Sequence, residues 1–85
     1  MPLPPGLSPL TFGGDEFYVV MASDVQRDGM ALELHRASDS DLVAEVFYSD
    51  GTGAMTAWTS ETGVPADAME YLLAEAAKRL PATDV

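Results

Sequence analysis

The sequence predicts an α+β domain: a four-stranded antiparallel meander followed by one C-terminal helix packed on one sheet face, in the order ββββα. Three observations carry that prediction. Four apolar or alternating runs of strand length are separated by short turns rich in Asp, Gly and Ser. The last two runs flank Ser49-Asp50-Gly51-Thr52-Gly53, a hairpin signal in which Asp-Gly supplies the positive φ angles that a tight turn demands. After them the hydrophobic period changes from two to the helical value.

Glu16-Phe17-Tyr18-Val19-Val20-Met21-Ala22-Ser23 is apolar without alternation, as expected of a strand covered on both sides. Asp24-Val25-Gln26-Arg27-Asp28-Gly29 turns the chain, and Met30-Ala31-Leu32-Glu33-Leu34-His35-Arg36 resumes a strand with clear alternation. Residues 37–41 turn it back into Leu42-Val43-Ala44-Glu45-Val46-Phe47-Tyr48. That loop's length decides whether Leu32 and Leu34 join the Val46 face or the Phe47 face, and the sequence leaves both registers open. Across the Asp50-Gly51 turn, a two-residue and a four-residue loop give the same pairing parity. One face then carries Leu42, Ala44, Val46, Tyr48, Met55 and Ala57; the other carries Val43, Phe47 and Trp58 with Glu45, Thr56 and Ser60.

The helix is expected to begin around Val64-Pro65-Ala66-Asp67, since proline suits a first turn and Asp67 suits the positive end of the dipole. No oxygen-bearing N-cap precedes it unless Thr62 reaches. Met69, Leu72, Leu73, Ala76 and Leu80 form the apolar stripe, Glu75 and Arg79 stand in the favourable i,i+4 order, and Pro81 ends the helix.

Residues 1–14 read as a proline-rich N-terminal arm, with four of the chain's six prolines, ending in a turn at Thr11-Phe12-Gly13-Gly14-Asp15. The single domain is assigned to 15–81 and a tail to 82–85. A chain of 85 residues closes one core, and no cysteine is present to staple it or to serve as nucleophile or thiolate ligand. With 47% hydrophobic residues and neither a membrane-length apolar run nor a signal-peptide pattern, a cytoplasmic protein with no membrane association is expected.

Fourteen acidic residues against four basic ones give a formal charge of −10, which repels phosphate backbones, so nucleic acid is not the expected partner. His35 is the sole histidine and reads as a surface or interface residue; Glu33 and Glu45 are the carboxylates the sheet can bring beside it. Asp39-Ser40-Asp41 and Asp50-Gly51-Thr52-Gly53 resemble pieces of calcium loops but lack the spacing and the closing glutamate, and they are also ordinary turn compositions. No serine sits in a nucleophile elbow. No catalytic residue, cofactor or metal site is assigned.

Trp58, Phe47 and Tyr48 offer rings on which bases can stack. Over Glu16 to Leu80, the order and length of elements resemble the ββββα repeat of the PUR family of nucleic-acid-binding proteins. That resemblance implies associating repeats and a sheet that binds single strands. The basic residues such sheets present are missing, since the strands hold only Arg36 and, beside a turn, Arg27, and no binding residue carries over.

A sheet apolar on both sides leaves one side uncovered by a lone helix, and such a patch favours association. The expectation is a small, acidic, non-enzymatic homodimeric protein-interaction module with Val43, Phe47 and Trp58 at the interface, and a basic protein as a possible partner. The alternative is a single-stranded nucleic-acid-binding protein of PUR-like architecture.

Overall fold

A computed structural model describes residues 9–61 and 63–80. Most of the expected arm, the helix terminator Pro81, the 82–85 tail and the capping candidate Thr62 lie outside the described residues. One antiparallel sheet of five strands, in the order β1-β2-β3-β4-β5, is followed by a single helix. The strands are β1 (Leu10–Phe12), β2 (Asp15–Asp24), β3 (Gly29–Arg36), β4 (Leu42–Ser49) and β5 (Met55–Thr59), and α1 spans Ala66–Arg79.

The expected count of four strands is corrected by β1. Leu10 pairs with Phe17 and Phe12 with Asp15, leaving Gly13 and Gly14 as a two-residue hairpin loop. Both glycines hold positive φ, 58° and 84°, the geometry whose twist matches the flanking strands. What reads as the end of an arm is therefore a hairpin, and Phe12 lies against Phe17 and Tyr71 with ring centroids 6.1 and 5.7 Å away.

At the next turn Asp28 takes the positive φ (57°), while Gly29 serves close approach. A Cβ on Gly29 would overlap the Tyr48 carbonyl oxygen and come within 2.7 Å of the Phe47 ring. The β4–β5 hairpin uses its four-residue version, closed by Ser49 N–H donating to the Ala54 carbonyl at 2.9 Å and Gly53 N–H donating to the Ser49 carbonyl at 2.7 Å.

Register settles the faces. Met21, Leu32, Val46 and Ala57 form one row across the sheet and Val19, Leu34, Ala44 and Thr59 the next, so Leu32 and Leu34 join the Val46 face. This face meets the helix: Leu32, Leu34, Ala44 and Val46 cluster with Ala68, Leu72, Ala76 and Leu80, all at most 1% exposed. Ala68 and Ala76 let the helix backbone sit close to the sheet, so the buried stripe runs Ala68-Leu72-Ala76-Leu80. Leu73, expected in the stripe, is 45% exposed. Pro65 takes the N-cap position, with no side-chain capping bond.

The pairing shifts between Leu34 and His35, where Leu34 opposes Ala44 and His35 opposes Leu42. An extra residue in one strand reverses the alternation beyond it. Val43 consequently turns into the helix-side core, 1% exposed, and Leu42 lies across from His35 on the other side.

Candidate interaction surface

Away from the helix, the sheet presents a second face whose rows read Tyr18–His35–Leu42, Val20–Glu33–Glu45–Trp58 and Ala22–Ala31–Phe47–Thr56. Of the three residues expected at an interface, Phe47 and Trp58 share this face, and Val43 is buried in the core instead. Among the described residues the face has no second layer, yet Tyr18 is 5% and Phe47 8% exposed. Long polar side chains lying on the rings account for this.

Arg27 reaches from the β2–β3 turn and places its guanidinium carbon 4.1 Å from the centre of the Phe47 ring. A cation over a ring face is favourable, and the planar guanidinium sheds water more readily than an ammonium does. Arg27 Nη1 and Nη2 donate to the two carboxylate oxygens of Glu45 at 3.2 and 2.9 Å. Its Nε donates to Asp24 Oδ2 at 2.5 Å, and its backbone N–H donates to Asp24 Oδ1 at 3.0 Å. The Arg27 backbone bond, followed by the side-chain bond, holds the Asp24 carboxyl below the usual carboxylate range. Glu45 and then Asp24 favour the charged guanidinium.

The second cover is His35, stacked on Tyr18 with centroids 5.2 Å apart and planes 8° from parallel. Its Nε2 lies 2.9 Å from Glu33 Oε1, and its Nδ1 lies 3.2 Å from the Ser40 carbonyl oxygen. Both partners accept, so the ring serves both as a donor only when both nitrogens carry hydrogen. Of the two carboxylates expected near His35, Glu33 reaches it along the same strand and Glu45 is engaged by Arg27.

The chain's four basic residues are all ion-paired: Arg27 with Asp24 and Glu45, Arg36 with Asp39, and Lys78 and Arg79 with Glu75. Exposed carboxylates meanwhile stand at both ends of the sheet and on the helix, among them Asp15, Glu16, Asp28, Asp41, Asp50, Asp67 and Glu70. The two calcium-like fragments are turns. Asp39 accepts from the Asp41 N–H at 3.1 Å and from Arg36 at 2.9 Å, and Thr52 Oγ1 accepts from the Ala54 N–H at 3.1 Å. Among the described residues, no group of three or more His, Cys, Asp or Glu is placed to hold a metal ion. Two surface hollows of about 250 and 350 Å³ share Asp15 and Arg36 in their linings, and His35 lines neither. None of the described helices is long and apolar enough to cross a membrane.

Exposed large apolar side chains stand at Val25 in the β2–β3 turn, Met21 on β2, Leu73 on α1, and Met55 and Trp58 on β5, the strand that carries two of them. Every residue from Met55 to Thr59 is exposed, with Trp58 at 48% and Met55 at 39%. Sequence reasoning singled out Trp58 but missed the Arg27 cover, because a turn residue that reaches across two strands leaves no periodic signal. No family model, curated protein or solved structure matches the chain, so the PUR resemblance stays one of element order, with β1 an addition to it.

Proposed function

We propose that the protein is a non-enzymatic, homodimeric protein-interaction module whose acidic surface engages a basic protein. The observation that carries this reading is β5, an edge strand of Met-Thr-Ala-Trp-Thr with no charge, all of it exposed, on a chain of formal charge −10. Natural edge strands are ordinarily blunted by lysine, proline or a bulge, and β5 has none of these. The sequestration of every basic side chain by a carboxylate favours a basic partner over a nucleic-acid phosphate. Rings are available on the open face, but Phe47 is already occupied by Arg27 and Tyr18 by His35, which leaves Trp58 as the exposed one.

Sedimentation at micromolar concentration tests the assembly: twice the 9.0 kDa chain mass is expected, and 9.0 kDa itself would refute the dimer. Salt separates the two associations. Screening strengthens pairing between like-charged subunits and weakens capture of a basic protein. Submicromolar binding of mixed single-stranded oligonucleotides at physiological salt would reverse the assignment in favour of the PUR-like alternative.

A further inference from the structure

We infer that two copies of the chain join edge to edge through β5, antiparallel about a two-fold axis at Ala57, so that the two five-stranded sheets become one continuous sheet. This rests on the dimer reading above and names the surface that forms it.

The backbone directions come from the ladder. Ser49 donates to Ala54, and Ser60 donates to the Val43 carbonyl. In an antiparallel pair, bonded and non-bonded positions alternate. Thr56 and Trp58 therefore direct their backbone groups toward β4, and Met55, Ala57 and Thr59 direct theirs outward. A two-fold axis at Ala57 places each outward group opposite another: Ala57 against Ala57 of the second copy, and Met55 against its Thr59. Any other register about a two-fold axis shortens the overlap of a five-residue strand.

The self-complementary register selects a second copy as the occupant, and the lack of charge on β5 permits it. Two chains of −10 repel, and they meet most cheaply where neither carries charge, as on β5. In the Ala57-centred register the paired residues run from Met55 to Thr59, none of them acidic, so no acid opposes another within the new ladder. Trp58 faces Thr56 on the open side, an aromatic pairing with a β-branched residue that stabilises antiparallel strands. The axis stands perpendicular to the sheet, which puts both helices on one side and both open faces on the other. The far edge is less available: of the β2 residues beyond β1, Tyr18 to Asp24, only Met21 and Ser23 are exposed.

The test uses Ala57→Glu, Ala57→Lys and Ala57→Pro in the full chain, read by sedimentation with circular dichroism as the folding control. The Ala57 N–H points away from β4, so proline there removes no bond within the chain. Each variant alone is expected to keep the wild-type spectrum and to dimerise at least about tenfold more weakly, since like charges face each other or the edge loses a donor. Mixing the Glu and Lys variants is expected to restore a dimer of one copy of each. Wild-type-strength dimers from all three variants would overturn the β5 interface and leave the dimer reading standing. A monomeric wild type would overturn both, and open-ended oligomers would overturn the two-fold pairing.

Discussion

Phe47 and Trp58 lie on the same face of adjacent strands, and the molecule treats them in opposite ways. Phe47 is 8% exposed beneath a guanidinium that is itself held by two carboxylates, while Trp58 is 48% exposed with nothing described above it. A single-layered sheet face is thus closed in its middle by long polar side chains and left bare at one rim. The aliphatic stem and flat head of an arginine cover an aromatic ring while keeping their charge satisfied, so a second layer is not the only way to bury a ring. Apolar surface on the open side is consequently less than the sequence pattern implies, and its most exposed ring lies on an edge strand whose outer backbone groups have no partner among the described residues. That placement argues for a directional contact rather than face-to-face stacking of two sheets.

Truncating each ring gives the largest expected contrast. Phe47→Ala should lower the unfolding free energy by about 3–5 kcal/mol, because it empties a packed site beneath Arg27 and beside Gly29. Trp58→Ala should change the stability of the isolated subunit by about 0.5 kcal/mol or less, while weakening association. Chemical denaturation at a fixed protein concentration well below the dimer constant measures the first pair of values, and sedimentation the second. Equal losses of stability would show that exposure does not distinguish the two rings.

Removing the cover should have a smaller effect. Arg27→Ala uncovers Phe47 and leaves Glu45, whose side chain is 13% exposed, without its bidentate partner. The expected outcome is a fall in Tm smaller than that of Phe47→Ala, with increased binding of a hydrophobic dye. Arg27→Met separates the two causes, since it retains a stem over the ring but no charge. Dye binding near wild type in the Met variant together with high binding in the Ala variant assigns the effect to packing. High binding in both assigns it to the charged head.

The contrast between these rings was half legible in the sequence. Alternation and the even hairpin loop put Phe47 and Trp58 on one face and Val46 and Ala57 on the other, because parity depends only on residue count. Parity alone also groups Val43 with them, whereas the structure turns it into the core: a bulge inserts one residue, and the 37–41 loop gives no count that exposes it. The segment Leu10–Phe12 reads as part of an arm because prolines dominate the residues before it, and the structure makes it a strand on the Gly13-Gly14 hairpin. Helical periodicity marked Leu73 as buried since it is apolar, whereas close approach to the sheet selects the small Ala68 at that face. Arg27 illustrates the deepest gap. Its role depends on the positions of Asp24, Glu45 and Phe47 together, and those are set by the fold and not by local pattern.

The smallest expected effect concerns the outer tie on that arginine. Asp24 has its carboxyl held below the ordinary range, first by the Arg27 backbone N–H and then by the Arg27 side chain. A carboxyl with a folded-state pKa below its unfolded value of about 3.9 stabilises the fold fully above that value. The contribution disappears as pH falls through the lower, folded-state pKa. Asp24→Asn keeps an acceptor for the backbone bond and removes the ionisation, so the variant should lose less stability than wild type between pH 5 and the acid limb below about pH 4. Denaturant midpoints at the two ends of that range measure the difference. An identical acid slope in both proteins would mean that the ionisation of Asp24 adds nothing to the hold on Arg27 over Phe47, and that the charge holding the closed half of the open face comes from Glu45.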